Sequence, residues 1–343
     1  MIKFMLVSAT DGHELGELSN IQTNNIAVSM LDVETASFKI PYSSLPADWV
    51  ESLQPYKSVI ILENDGIALY GGFITKRTRT QSSNTIQLDC TDVLGYFKRV
   101  YVPTLSYTSM SQTLILANVI NETLRYSTVP IVVEATESPI KRDRSYSEAD
   151  NKSLFDVIDS FNGLDNGTEL SHEWAFNPTK RVWECTIYLA DHIGSLQPLQ
   201  LDASIFNDFS IIEDYTAGYG ANSVLAYSTN GNTHLESSWH SSKYWGRPLL
   251  QYKWSPSSSI TNVDTLNSYA AQKLADIELG SVSYSFSCAF NLFPPFGVVW
   301  HCGDFMSFTI SSDYFPDLNK LTVRVVGYKI DFSKGWTITL LLQ

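Results

Sequence analysis

Residues 58–75 read SVIILENDGIALYGGFIT, two apolar runs on either side of Asn64-Asp65-Gly66. Glycine accepts the positive φ that a tight turn needs, so an apolar run, Asn-Asp-Gly and a second apolar run spell a β-hairpin. This reading sets strands at Ser58–Glu63 and Ala68–Thr75. Gly71-Gly72 falls inside the second run, between Tyr70 and Phe73. Glycines there mark a bulge or the close approach of another group rather than a phosphate cradle.

Outward from the hairpin the pattern stays β. Lys3–Ser8 opens with apolar residues and Asp11-Gly12 supplies a turn. Asn25–Leu31, Ala36–Pro41 and Thr85–Cys90 alternate apolar or β-branched residues with polar ones. Short strands at close spacing predict a small barrel or sandwich. Past Tyr107 the period changes. Thr108–Arg125 places Leu114, Ala117, Ile120 and Leu124 at helical spacing, with Thr108, Ser109 or Ser111 able to cap it. Thr136–Asn151 is polar and carries a small basic cluster, Lys141, Arg142 and Arg144. Ser153–Phe161 predicts a second helix with Leu154, Val157, Ile158 and Phe161 on one face. Glu169–Leu189 reads as a hairpin around Asn177-Pro178-Thr179.

The last third returns to strands: Asp208–Glu213 and Asn222–Tyr227, then a turn at Asn230-Gly231-Asn232. A loop rich in Ser and aromatics covers His234–Ser259. One helix follows at Asn262–Leu279, with Val263, Leu266, Ala270, Leu274 and Ile277 on its apolar face, Asn262 at its start and Gly280 at its end. Val282–Phe290, Phe305–Ser311, Leu321–Phe332 and Trp336–Leu342 close the chain, the last two joined across Ser333–Gly335. The expected class is mainly β with a few helices (α+β). Two barrel-like domains, 1–104 and 206–343, bracket an inserted α+β region at 105–205.

The formal charge of −13 is uneven: −3 over residues 1–100, −10 over 101–214 and zero over 215–343. An acidic middle is unsuited to gripping phosphates, which needs Lys and Arg, but suits a surface past which nucleic acid slides. Cys90, Cys185, Cys288 and Cys302 stand far apart without a CxxC pair, as core thiols do in a reducing cytoplasm. The N-terminus lacks the apolar run of a signal peptide, and no stretch has the apolar length of a membrane span.

Motifs for chemistry are few. There is no Gly-x-Ser-x-Gly elbow, Walker loop or dinucleotide fingerprint. The six histidines are scattered, and His172-Glu173 lacks the second His of a zincin helix. The expected catalytic, cofactor and metal sets are therefore empty, and the protein is expected to be no enzyme. His301, Cys302 and Asp304 in WHCGDF suggest a thiol–imidazole pair, but neighbours on a strand face opposite sides, so a turn into a strand is the better reading. A glycosidase needs two carboxylates across a cleft, which spacing in a β fold does not reveal. The candidate contact loop is Trp239–Arg247, with Trp239, Tyr244, Trp245 and Arg247 as the residue types favoured at protein contacts and sugar platforms.

The order of motifs in the last third carries a family resemblance. Ala221-Asn222-Ser223-Val224-Leu225 leads to Tyr244-Trp245-Gly246-Arg247-Pro248, then to the Asp264–Asp276 helix, the Gly303-Asp304 turn and Leu321-Thr-Val-Arg-Val-Val-Gly327. Upstream, Leu69-Tyr70-Gly71-Gly72-Phe73-Ile74 precedes Ile86–Asp92, a strand running into Thr91-Asp92 and a helix. Over about 1–100 and 205–343 the chain resembles tail hub proteins of long-tailed phages, the family related to the baseplate hub of contractile tails. The resemblance implies a non-catalytic structural protein of the virion tail tip, made in the host cytoplasm. Its three copies would form a ring that continues the tail tube. Its partners would be the distal tail protein, the tape measure protein and the fibre or spike proteins, with genomic DNA passing through without specific binding during ejection. Alternatives are a carbohydrate-binding adsorption module and a glycoside hydrolase.

Overall fold

The computed structural model describes residues 2–343 apart from positions 31, 165, 207, 217, 231–232, 243–245, 257–259, 311–314, 316–318 and 334. The first hundred residues build strands β1 (Ile2–Ser8), β2 (Glu14–Leu18), β3 (Gln22–Thr23), β4 (Asn25–Ser29), β5 (Thr35–Pro41), β6 (Ser58–Asn64), β7 (Ile67–Arg79) and β8 (Thr85–Thr91). Helices α1 (Trp49–Ser52) and α2 (Val93–Phe97) lie among and after them. β6 and β7 form the expected hairpin, with both Asp65 and Gly66 at positive φ (51° and 89°). Seven strands join in the order β2-β1-β6-β7-β8-β5-β3. All of Ser58–Leu62 is buried, so β6 is covered on both faces, which explains its continuous apolar run.

The middle region comprises β9 (Leu105–Ser111), α3 (Gln112–Thr123), β10 (Ile131–Ala135), β11 (Lys141–Tyr146), α4 (Leu154–Asn162), β12 (Glu169–Asn177) and β13 (Val182–Ala190). The hairpin β12–β13 turns at Asn177-Pro178-Thr179 as expected, and β10 adds to β13 in parallel. Two expectations fail here. The helix predicted from Thr108 starts at Gln112, because residues up to Ser111 belong to a two-stranded ribbon in which Met110 and Ser111 pair with Arg142 and Lys141. The polar stretch 136–151 therefore contains a strand, its charged residues lying on an exposed ribbon that needs little apolar pattern. The predicted stripe on α3 is also incomplete. Ile115, Leu116 and Val119 are buried as well, while Leu114 is only half-buried, so α3 is enclosed on most sides. α4 agrees with its reading: Leu154, Val157, Ile158 and Phe161 are buried, and Ser153 and Asp156 form a reciprocal capping box.

The rest of the chain forms β14 (Leu196–Asp202), β15 (Asp208–Asp214), β16 (Ser223–Asn230), β17 (Thr233–Glu236), β18 (His240–Ser241), β19 (Gln251–Trp254), α5 (Val263–Ile277), β20 (Ser281–Ala289), β21 (Phe305–Thr309), β22 (Lys320–Asp331) and β23 (Thr337–Leu342). The stretch read as a loop from His234 thus holds three short strands. The expected turn at Gly231-Asn232, the run Ser257–Ser259, and Leu31, Ser311 and Lys334 of other expected segments lie outside the described residues. A second sheet runs β14-β21-β22-β23-β20-β15, and β4 from the first hundred residues also pairs with β22.

By contacts the chain divides into two compact units. The first holds Met1–Phe209 and Phe286–Gln343, and the second holds Ser210–Ser285. The chain leaves the first unit at Phe209 and re-enters at Phe286, and these two rings stack with centroids 4.5 Å apart. Phe286 also stacks on Phe308 at 4.4 Å. In the second unit α5 covers β16, burying Leu266, Ala270, Leu274 and Ile277 against Val224 and Ala226. Asn262 caps the helix by accepting from the Asp264 N–H, and Gly280 takes φ +80° beyond its end. Val263, expected on the apolar face, is 41% exposed.

The Trp174 indole of β12 packs against Gly71 of β7, where a Cβ would come within 2.2 Å of the indole Cδ1. Gly71→Ala should therefore lower the unfolding free energy by about 1–3 kcal/mol, the usual cost of overpacking a filled core. Urea unfolding checks this, and an unchanged midpoint would mean that the indole is not seated there.

Candidate functional site

The contact residues expected from sequence belong to the second unit. Trp239 follows β17 and is 39% exposed, with Lys253 Nζ 5.9 Å from its ring centre. Lys253 also lies 3.7 Å from the Glu236 carboxylate, which in turn meets His234 at 3.1 Å. Arg247 stacks on Tyr215, its guanidinium carbon 4.1 Å from the ring centre, and its Nη2 donates to Tyr215 Oη at 2.8 Å. Tyr215 is seated by two glycines at positive φ: a Cβ on Gly220 or Gly280 would fall 2.1 or 2.7 Å from its ring. Trp239 and Arg247 are thus exposed and held by different neighbours. Tyr244 and Trp245 lie outside the described residues.

In the first unit the WHCGDF segment is a turn built on Asp304. Its Oδ2 accepts from the His301 N–H at 2.9 Å and from Gln197 Nε2 at 2.7 Å, and its Oδ1 accepts from the Ser195 N–H at 2.8 Å. His301 Nδ1 meets the Glu173 carboxylate at 2.7 Å. That hydrogen bond raises the imidazole's pKa, and burial pushes the Cys302 thiol far up, so the two do not form a nucleophile and base. Beside this turn Arg324 is buried and grips Glu169 with both terminal nitrogens, while its Nε donates to the Gly303 carbonyl at 3.0 Å. Burial pushes the Glu169 carboxyl up, but the Arg324 fork and the Ile193 N–H outweigh it and hold the group below its ordinary value.

The third polar group was not singled out by sequence reasoning. Asp92 ends β8 and caps α2, accepting from Gly95 N–H at 2.8 Å and from Glu34 N–H at 2.9 Å. Across from it on β12 stands His172, its Nε2 3.9 Å from the carboxylate, and both are buried. Burial raises Asp92 to about 7, the two N–H donors and Lys98 opposing it and the Glu34 carboxylate adding to it. Burial alone lowers His172 to about 4. Thr91-Asp92 ahead of a helix was legible as a cap, but nothing near position 172 signals its partner. Among the described residues no group of three His, Cys, Asp or Glu side chains is arranged to hold a metal ion, and no helix is long and apolar enough to cross a membrane.

This architecture has counterparts among solved structures. The 43 kDa tail protein of prophage MuSo2 from Shewanella oneidensis superposes with a TM-score of 0.65 at 8% identity, over 99% of this chain and 98% of that one. A tail protein from Neisseria meningitidis gives 0.56 at 12% identity, over 99% and 96%. A chain of the Francisella PdpA–VgrG complex gives 0.57 at 10% identity, over all of this chain and 58% of that one. The chain therefore has the fold of phage tail proteins, as its motif order suggested. No family model matches the sequence, and no curated protein matches it.

Asp92 and His172 give opposite pH dependences. Between pH 3.8 and about 7 native Asp92 keeps a proton that the unfolded chain has released, so this group makes stability fall as pH rises. Between about 4 and 6.5 unfolded His172 binds a proton that the native state refuses, so this group makes stability fall as pH drops. Relative to the parent, Asp92→Asn should gain stability as pH rises from 3.8 to about 7, and His172→Phe should gain as pH falls from 6.5 to about 4. Urea unfolding across that range checks both; parallel curves for parent and variants would contradict the assignment.

Proposed function

We propose that this chain is a tail hub, a structural and non-catalytic subunit of a phage-type tail tip. The likeness to tail proteins over nearly the whole length of both chains carries the reading. In this reading 1–104 and 206–343 are barrel-like, ring-building halves and 105–205 is an outward decoration. Three copies close a ring that continues the tail tube, joins the distal tail, tape measure and fibre or spike proteins, and lets DNA pass. The ring-building halves carry no cationic excess, −3 over 1–100 and zero over 215–343, which supports passage without capture, because holding phosphates needs surplus Lys and Arg. Resemblance to a chain from a PdpA–VgrG complex supports partners within an injection or tail assembly.

The purified protein should show three times its 38.4 kDa mass by light scattering, or three copies of the chain in a complex with its tail-tip neighbours. A monomer under both conditions would overturn the ring. A second reading, a carbohydrate-binding adsorption module, is favoured by exposed Trp239. It predicts glycan binding that falls at least tenfold in Trp239→Ala. No glycan binding by the parent would remove it, and hydrolysis of cell-wall sugars would favour a glycoside hydrolase over both readings.

A further inference from the structure

Where β7, β12 and β22 meet, a small chamber is lined by Leu69, Tyr70 and Gly71, by Asp92, by His172 and Trp174, and by Tyr328. Its polar lining is incompletely matched. Both ring nitrogens of His172, the Trp174 indole N–H and the Tyr70 hydroxyl are buried with no hydrogen-bond partner among the described residues. His172 is 8% exposed, Trp174 5% and Tyr70 3%. Buried polar groups left alone cost stability comparable to a lost hydrogen bond each, so several around one cavity point to an occupant that satisfies them.

The size of the chamber selects that occupant. It leaves about 20 Å³ in which a water centre fits, and one water needs about 10–15 Å³ by that measure. A metabolite or a hydrated ion is too large. An apolar guest would leave every donor unmatched. Asp92 Oδ2 and His172 Nε2 are 3.9 Å apart, beyond a direct hydrogen bond but within the span of one bridging molecule. Water supplies two donors and two acceptors, enough to serve the Asp92 carboxyl, one ring nitrogen of His172 and the Trp174 indole N–H together.

We infer that this chamber is a binding site for a single ordered water, which bridges the Asp92 carboxyl to the His172 imidazole and accepts from the Trp174 indole. The water joins the capped start of α2 to β12, so the middle region seats on the first sheet through a hydrated polar joint beneath the Trp174 ring. Gly71 is part of the site, since its missing side chain is what lets the indole pack against β7.

A crystal structure of the intact chain, at a resolution that shows ordered water, should contain a peak within about 2.6–3.2 Å of at least two of these three groups. Trp174→Phe, which keeps an aromatic ring but removes the N–H, should lose or weaken that peak. In solution the Trp174 indole resonance, assigned by its loss in Trp174→Phe, should show magnetisation transfer from a long-lived water. An empty chamber in the parent protein, a peak without polar contacts, or Asp92 and His172 closed to a direct hydrogen bond would overturn the site.

Discussion

The pairing of β4 with β22 holds the two ends of the chain in one hydrogen-bonded system. Along one edge β22 accepts β21 at Lys320–Arg324 and then, a few residues on, β4 at Gly327–Asp331. The register is demanding at Gly327, where a Cβ would lie 2.3 Å from the Val28 carbonyl. Next to it Tyr328 is buried and its hydroxyl donates to the Leu69 carbonyl of β7. A strand made within the first thirty residues thus waits for one made after residue 320. Such non-local pairing is slow to form and resists local fraying once made.

Buried charge follows the same logic. Arg324 on β22 ties Glu169 on β12 to the Gly303 turn, and Asp304 ties that turn to Ser195 and Gln197 at the start of β14. Asp92 ties the end of β8 to Glu34 and to the first turn of α2. Each charged side chain spends its lone pairs or protons on backbone at a place where the chain changes direction. Removing one partner of the Arg324–Glu169 pair typically costs about 3–5 kcal/mol because the other is stranded. The polar interior specifies connections between elements that apolar packing alone would leave loose.

Local signals were read well where the physics is local. Asn64-Asp65-Gly66 needs positive φ and gave the hairpin; the apolar face of Ser153–Phe161 gave a helix, and Asn262 with Gly280 marked helix ends that the structure shows. The misreadings have a common cause. Lys141–Tyr146 is a strand only because Leu105–Ser111 lies beside it, and that pairing converts the first turn of the expected helix into ribbon. β4 alternates like any strand, and nothing in Asn25–Ser29 announces that its partner lies in the last twenty-five residues. Trp239 and Arg247 were picked out by residue type and are exposed, whereas Tyr215 as the seat of Arg247 depends on two glycines, Gly220 and Gly280, that are far apart in sequence. Asp92 and His172 are eighty residues apart and meet only through the fold.

The stacked rings of Phe209 and Phe286 bring the exit and re-entry of the chain to neighbouring positions. A segment whose ends sit this close is topologically an appendix: the strands on either side keep their register whatever hangs between them. A few-residue bridge would span the gap, and a foreign module with adjacent termini would fit the same doorway. What lies between β15 and β20, residues 215–280, is therefore the part that evolution and protein engineering can exchange as a cassette while the pairing of β4 with β22 stays untouched.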